Sequence, residues 1–134
     1  MPTVSIFFIR WSLIQLGIAS TIGLILLISK ATGGWMWIWN FKNLHTEGMW
    51  IGWIINLVLG TAWWIMPKRP DFPDKYGYAW LAWLSFIFAQ IDWLYRFFLE
   101  PNFAPFFIRL TPFLAILFFV MGIWPRLKYI IHQH

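Results

Sequence analysis

The chain has 134 residues, of which 60% are hydrophobic, 22% aromatic and 11% charged, and its formal charge of +5 reflects 10 Lys and Arg against 5 acidic residues. A soluble domain of this length cannot hide so much apolar surface. The cations fall at the ends of apolar runs and not in a block, a pattern that suits lipid headgroups and argues against nucleic acid as a partner. The absence of Cys excludes disulfides, thiolate metal sites, iron–sulfur clusters, thiol catalysis and the covalent attachment of a c-type haem.

A helix needs roughly 20 apolar residues to cross hydrocarbon, so the sequence predicts an all-α fold: an integral membrane four-helix bundle forming a single domain. The first predicted span covers residues 5–28. It is too long for the apolar region of a secretory signal, and Arg10 lies inside the run where a signal would carry its basic residues ahead of it, so we read it as a retained span. Gly17, Ser20 and Gly23 are small enough to admit a neighbouring helix. Residues 31–42, ATGGWMWIWNFK, combine a Gly pair with Trp and Phe, as expected of a loop along the membrane interface.

The second span, residues 44–66, stops at Pro67, where Lys68, Arg69, Asp71, Asp74 and Lys75 make a charged, proline-rich turn. A third span over residues 78–98 is broken by EPNFAP, and a fourth covers residues 106–124. Pro125 is expected to close that run, with Arg126 and Lys128 as a basic flank. The end holding the N-terminus, the second turn and the C-terminus carries Lys68, Arg69, Lys75, Arg126, Lys128 and a snorkelling Arg10. The other end carries Lys30, Lys42, Arg96 and Arg109. This asymmetry places both termini on the cytoplasmic side, preferentially of a prokaryotic-type inner membrane.

Ionisable groups inside apolar runs are costly, so each is a candidate site. His45 opens the second span, and at 3.6 residues per turn its stripe continues through Met49, Gly52, Asn56, Gly60 and Trp63, with Gly48 at the border. Side chains are missing where His45 projects. One reading is a flat notch for a planar macrocycle, because neutral His ligates haem iron and Gly lets a ring approach the backbone. The other is an ordinary helix-packing motif, Gly48-x-x-x-Gly52, with His45 capping the helix at the interface.

Asp92 and Arg96 are spaced to pair on one helix face. Arg96 and Arg109 are placed to meet haem propionates, or else simply snorkel. Glu47 and Gln90 fall in the same layer and are candidates to orient the His45 ring. His132 and His134 belong to the tail, where a metal site is the less favoured reading. No Ser-His-Asp grouping, phosphate-binding glycine loop, His-Glu-x-x-His pair or carboxylate dyad can be assembled, so no catalytic residue is expected.

Residues 41–67, FKNLHTEGMWIGWIINLVLGTAWWIMP, resemble the second span of catalytic subunit I in the haem-copper oxidase and nitric-oxide reductase superfamily. The whole chain is similar to short four-span proteins described as cytochrome oxidase subunit I-like, through Arg10, Gly17 and Gly23, then Leu44-His45, Gly52-Trp53, Gly60 and Pro67. The resemblance covers roughly the first 70 residues on motifs and the rest on span count and length. It implies that His45 is an axial, metal-binding ligand of a low-spin haem b on the non-cytoplasmic side. The partner histidine and the histidines of the oxygen- or nitric-oxide-reducing centre are absent from this sequence, so the resemblance does not extend to that chemistry. A second ligand is then expected from a homodimer, from another subunit, or from Met49, whose place one turn along the same helix is poor geometry.

The sequence thus predicts a b-type haem protein of the electron-transfer class, with membrane lipid and a homodimer or larger complex as partners. The alternative is a non-redox accessory subunit of a respiratory or photosynthetic complex, in which His45 could ligate chlorophyll. Transport fits poorly, because a polar layer near one interface offers no path across the bilayer.

Overall fold

Every described element is helical in the computed structural model, which describes residues 1–66, 76–98 and 110–131 and, within them, all side chains except those of residues 76, 92–98 and 128–131. Helix α1 runs Thr3–Thr32, 30 residues with no Pro and only isolated Gly. At 1.5 Å per residue it is about 45 Å long. It ends where Gly33 takes a left-handed conformation, φ 65°, the position at which a missing Cβ is an advantage. Ser29 Oγ donates to Gly34 O at 2.6 Å and ties the turn back to the helix.

Helix α2 spans Met36–Ile65 and changes its winding along the way: 3₁₀ over Met36–Phe41, α over Lys42–Glu47, π over Gly48–Ile55 and α again over Asn56–Ile65. The Trp-rich segment is therefore not the loop expected from its composition. The break runs through Gly33, Gly34 and the left-handed Trp35; from Met36 on the segment is helical, with Ile38 drawn inside while Met36 and Trp37 stay exposed. Helix α3 runs Tyr76–Phe98 and α4 Thr111–Ile131. Pro125 does not close α4. It lies within the helix, where its ring removes one backbone donor, and the helix continues far enough to carry Arg126 inward.

Helix α1 packs antiparallel on α2, α3 packs most extensively on α4, and the two pairs meet at one end of the bundle. There Val4 and Phe8 of α1, Trp63 of α2, Ala79, Ala82 and Phe86 of α3 and Ala115, Phe119 and Ile123 of α4 form the buried core. Its rings meet edge to face, Phe8 with Phe86 at 6.4 Å and Trp63 with Phe119 at 5.9 Å, the arrangement that aromatic quadrupoles prefer. Small residues on α3 and α4 let those large rings fit.

Helices α1 and α2 are each long and apolar enough to cross a membrane, and only 22% of the most apolar window of each is buried within the bundle. A soluble core helix would show the reverse, because its apolar residues would face inward. Here Leu13, Ile14, Leu24 and Leu27 point outward instead. Shorter apolar stretches, Gly77–Ile91 and Thr111–Leu127, lie in α3 and α4.

Candidate functional site

The site is built where α1 and α2 cross. In an α-helix the side chain four residues on lies beside a given carbonyl and shields it. Residue 23 is Gly, so the carbonyl of Ala19 is open on that side, and the His45 ring fills the gap. Its Nδ1 is 2.8 Å from Ala19 O, and because a carbonyl oxygen only accepts, Nδ1 carries the proton. A Cβ added at Gly23 would lie 2.6 Å from Cε1 and 2.9 Å from Nδ1 of the ring. His45 is half-buried, and Nε2 has neither a hydrogen-bond partner among the described residues nor full burial.

The small residues next along α2 face the same helix. A Cβ on Gly48 would meet Ala19 Cβ at 3.1 Å, one on Gly52 would meet Gln15 Cβ at 3.0 Å, and one on Gly60 would meet Phe8 Cβ at 2.7 Å. The flat notch expected beside His45 is thus filled by α1. Gly48 and Gly52 bring two helices close, and a macrocycle face cannot lie where Gln15 and Ala19 already are. Met49 is half-buried in the π segment. Of the first-span glycines and serine, Gly23 does the corresponding work on α1, whereas Gly17 looks onto open space.

Asn56, where the π segment returns to α, is fully buried, and its Nδ2 donates to Ile51 O at 2.7 Å and to Gly52 O at 3.2 Å.

Gln90 does not orient His45. Its Oε1 accepts from Trp11 Nε1 and, at 3.0 Å, from Gln15 Nε2, so it clamps α3 to α1. The backbone carbonyl of Ala19 supplies the partner that Gln90 was expected to provide. Glu47 has an interaction of its own and lines, with Gln15 and Gln90, a cavity between α1, α2 and α3. Asp92 and Arg96 lie on α3, with their side chains outside the described part, and Arg109, His132 and His134 lie outside the described residues altogether.

Arg126, read from sequence as part of a basic flank beyond the fourth span, is only 4% exposed. Its Nη1 donates to Trp63 O at 3.3 Å near the end of α2, and its guanidinium carbon lies 4.3 Å from the Trp63 ring centroid. Arg126 also lines a cleft with Met1, Pro2 and Trp80, which puts the start of α1 and the end of α4 at the same end of the bundle. Among the described residues no three His, Asp or Glu side chains come close enough to share a metal ion.

Sequence reasoning missed the roles of Trp11, Gln15 and Asn56. The signal was present, since an amide inside an apolar run needs a partner, and Trp11 and Gln15 sit four apart on one face of α1. The chain matches no protein-family model, no curated protein and no solved structure.

Proposed function

We propose that the chain is an integral membrane four-helix protein of the electron-transfer class in which His45 Nε2 would hold a b-type haem, together with a second copy or another subunit. The outward-facing apolar side chains of α1 and α2 support the membrane placement, and the basic flanks favour termini on the cytoplasmic side. The observation that carries the haem reading is the bond from Nδ1 to Ala19 O. Metal-ligating His residues usually donate their second N–H to a carbonyl or carboxylate, which fixes the tautomer and leaves the other nitrogen as the electron-pair donor.

The fit is partial. One imidazole in the right tautomer is present, while the Gly48–Gly52 face is closed by α1, so the group would be held at the outer edge of His45, between this chain and a second copy or another subunit. When bound, a haem b would supply one-electron transfer. This chain's own residues do the positioning: Ala19 O holds the ring, and Gly23 leaves it room. Purified protein from haem-replete cells should show the reduced-minus-oxidised bands of a low-spin b haem, and His45→Ala should abolish them. Colourless protein with an unchanged spectrum in the variant refutes the reading.

A second reading is favoured by the closed glycine face: a redox-silent accessory subunit that uses its exposed apolar surface to pack against partner subunits or lipid. Isolation of a stoichiometric complex whose electron-transfer rate survives deletion of this chain would support it over haem ligation.

A further inference from the structure

Helix α1 is about 45 Å long and the hydrocarbon of a bilayer about 30 Å thick. About a third of the helix must therefore stand outside that layer, and the charges on its outer face decide which third. Arg10 and Lys30 are both exposed. Arg10 makes no hydrogen bond or ion pair with any described residue, so nothing in the bundle offsets the cost of holding its guanidinium in hydrocarbon. From Arg10 to Lys30 the helix rises about 30 Å, the thickness of the layer, and Leu13, Ile14, Leu24 and Leu27 point outward between them.

The aromatic side chains frame the same interval. Beyond Lys30 stand the exposed Trp35, Trp37 and Trp39. At the other end Phe7 meets Trp80 and Trp83 edge to face at 5.2 and 5.5 Å. The exposed Trp64 lies one turn past Gly60, which packs on Phe8, and the exposed Trp124 follows Gly122, which packs on Trp63. Trp collects at headgroup level in this way, and among the described residues only Trp50 is an exposed Trp between the two sets. Glu47 is a charge of a different kind. It adjoins Gly48, which packs on Ala19, and so lies near mid-height, but it is half-buried, lines the cavity between helices and has an interaction of its own. Arg10, facing out, sets the boundary.

We propose that the bilayer meets the protein in this register: the hydrocarbon layer extends from Arg10 to Lys30 of α1, Arg10 stands level with the phosphates of the lipid, and the first two turns of α1 lie among the headgroups. The layer is then centred near residue 20, where the apolar run 5–28 alone would centre it near residue 16 or 17. His45, packed on Gly23, lies about 10 Å inside the Lys30 boundary. The register rests on the membrane placement proposed above and not on haem ligation.

The chain has no Cys, so single Cys substitutions at the exposed Thr3, Leu13, Gly17, Ser20, Leu24 and Leu27 can each carry a nitroxide. With the full chain in vesicles of phosphatidylcholine and phosphatidylglycerol, paramagnetic resonance with oxygen and a water-soluble nickel chelate as relaxants reads the depth of each label. The greatest depth is expected at residue 20, equal depths at 13 and 27, and strong nickel contact at 3. Arg10→Leu extends the apolar run back to Val4 and should move the maximum to residue 17, about 4–5 Å along the helix, while Arg10→Lys should leave it at 20.

A maximum at residue 17 in the unsubstituted protein overturns the register, and a maximum that stays at 20 in Arg10→Leu overturns the role of Arg10. Spin–spin broadening at residue 17 means that a second copy covers this face and overturns the lipid contact. Equal nickel contact at all six positions overturns the membrane placement itself.

Discussion

Substituting Gly23 tests the contact on which His45 depends. An added methyl carbon would stand 2.6 Å from Cε1, 2.9 Å from Nδ1 and 3.3 Å from Nε2 of the ring. Carbon atoms pack at about 3.5–4.0 Å, so the ring must retreat by about 1 Å. A planar ring held at 2.8 Å from Ala19 O cannot retreat that far and keep its bond. The lost bond costs about 1 kcal/mol and the overpacking about 1–3 kcal/mol, while Ala in place of a helical Gly returns about 1 kcal/mol. Gly23→Ala should therefore destabilise the protein by about 1–3 kcal/mol. In a His45→Ala background the same change meets empty space, and only the propensity gain of about 1 kcal/mol remains. A double-mutant cycle, read by reversible unfolding in mixed detergent micelles, should give a coupling of about 2–4 kcal/mol. Equal effects of Gly23→Ala in both backgrounds would refute the packing of His45 against α1.

The other contacts give simpler expectations. Gly60→Ala pushes a methyl against Phe8 Cβ at 2.7 Å and Ser5 O at 3.3 Å, and should cost about 1–3 kcal/mol by the same unfolding assay. Asn56→Leu removes the side-chain bonds to the carbonyls of Ile51 and Gly52; a loss of about 1–2 kcal/mol should come with faster amide exchange across residues 48–55 than elsewhere in α2. Arg126→Met removes both the bond to Trp63 O and the stacked cation, and should cost about 2–4 kcal/mol, with Arg126→Lys recovering part of it. Gly33→Ala forces a side chain into the left-handed region at φ 65°, for a loss of about 1 kcal/mol visible as a lower midpoint.

The helices were legible in the sequence because the apolar runs are long and almost free of Pro in their interiors. Their ends were less so. The first span is read to end at residue 28 with the Gly pair in the loop beyond it, whereas α1 runs on to Thr32 and stops at Gly33; Pro125 is read as a stop and is not one, since the helix continues through it. The composition of residues 31–42 suggested an interfacial loop, yet aromatic exposure is equally compatible with a helix whose single inward residue is Ile38. The change to π winding at Gly48 has no local sequence signature.

The stripe beside His45 shows why the site was half legible. Spacing groups Met49, Gly52, Asn56, Gly60 and Trp63 on one stripe of α2, and all but the half-buried Met49 are buried, but an absent side chain records only that something comes close. A flat ligand and a crossing helix impose the same demand on the sequence. What separates them is the partner surface, and α1 supplies it residue for residue in antiparallel order: Phe8 against Gly60, Gln15 against Gly52, Ala19 against Gly48, and then, reversing the pattern, Gly23 against the His45 ring. That reversal is the informative step. Here α1 gives up its own side chain to admit an imidazole and present it with a carbonyl, an arrangement that fixes the tautomer of His45.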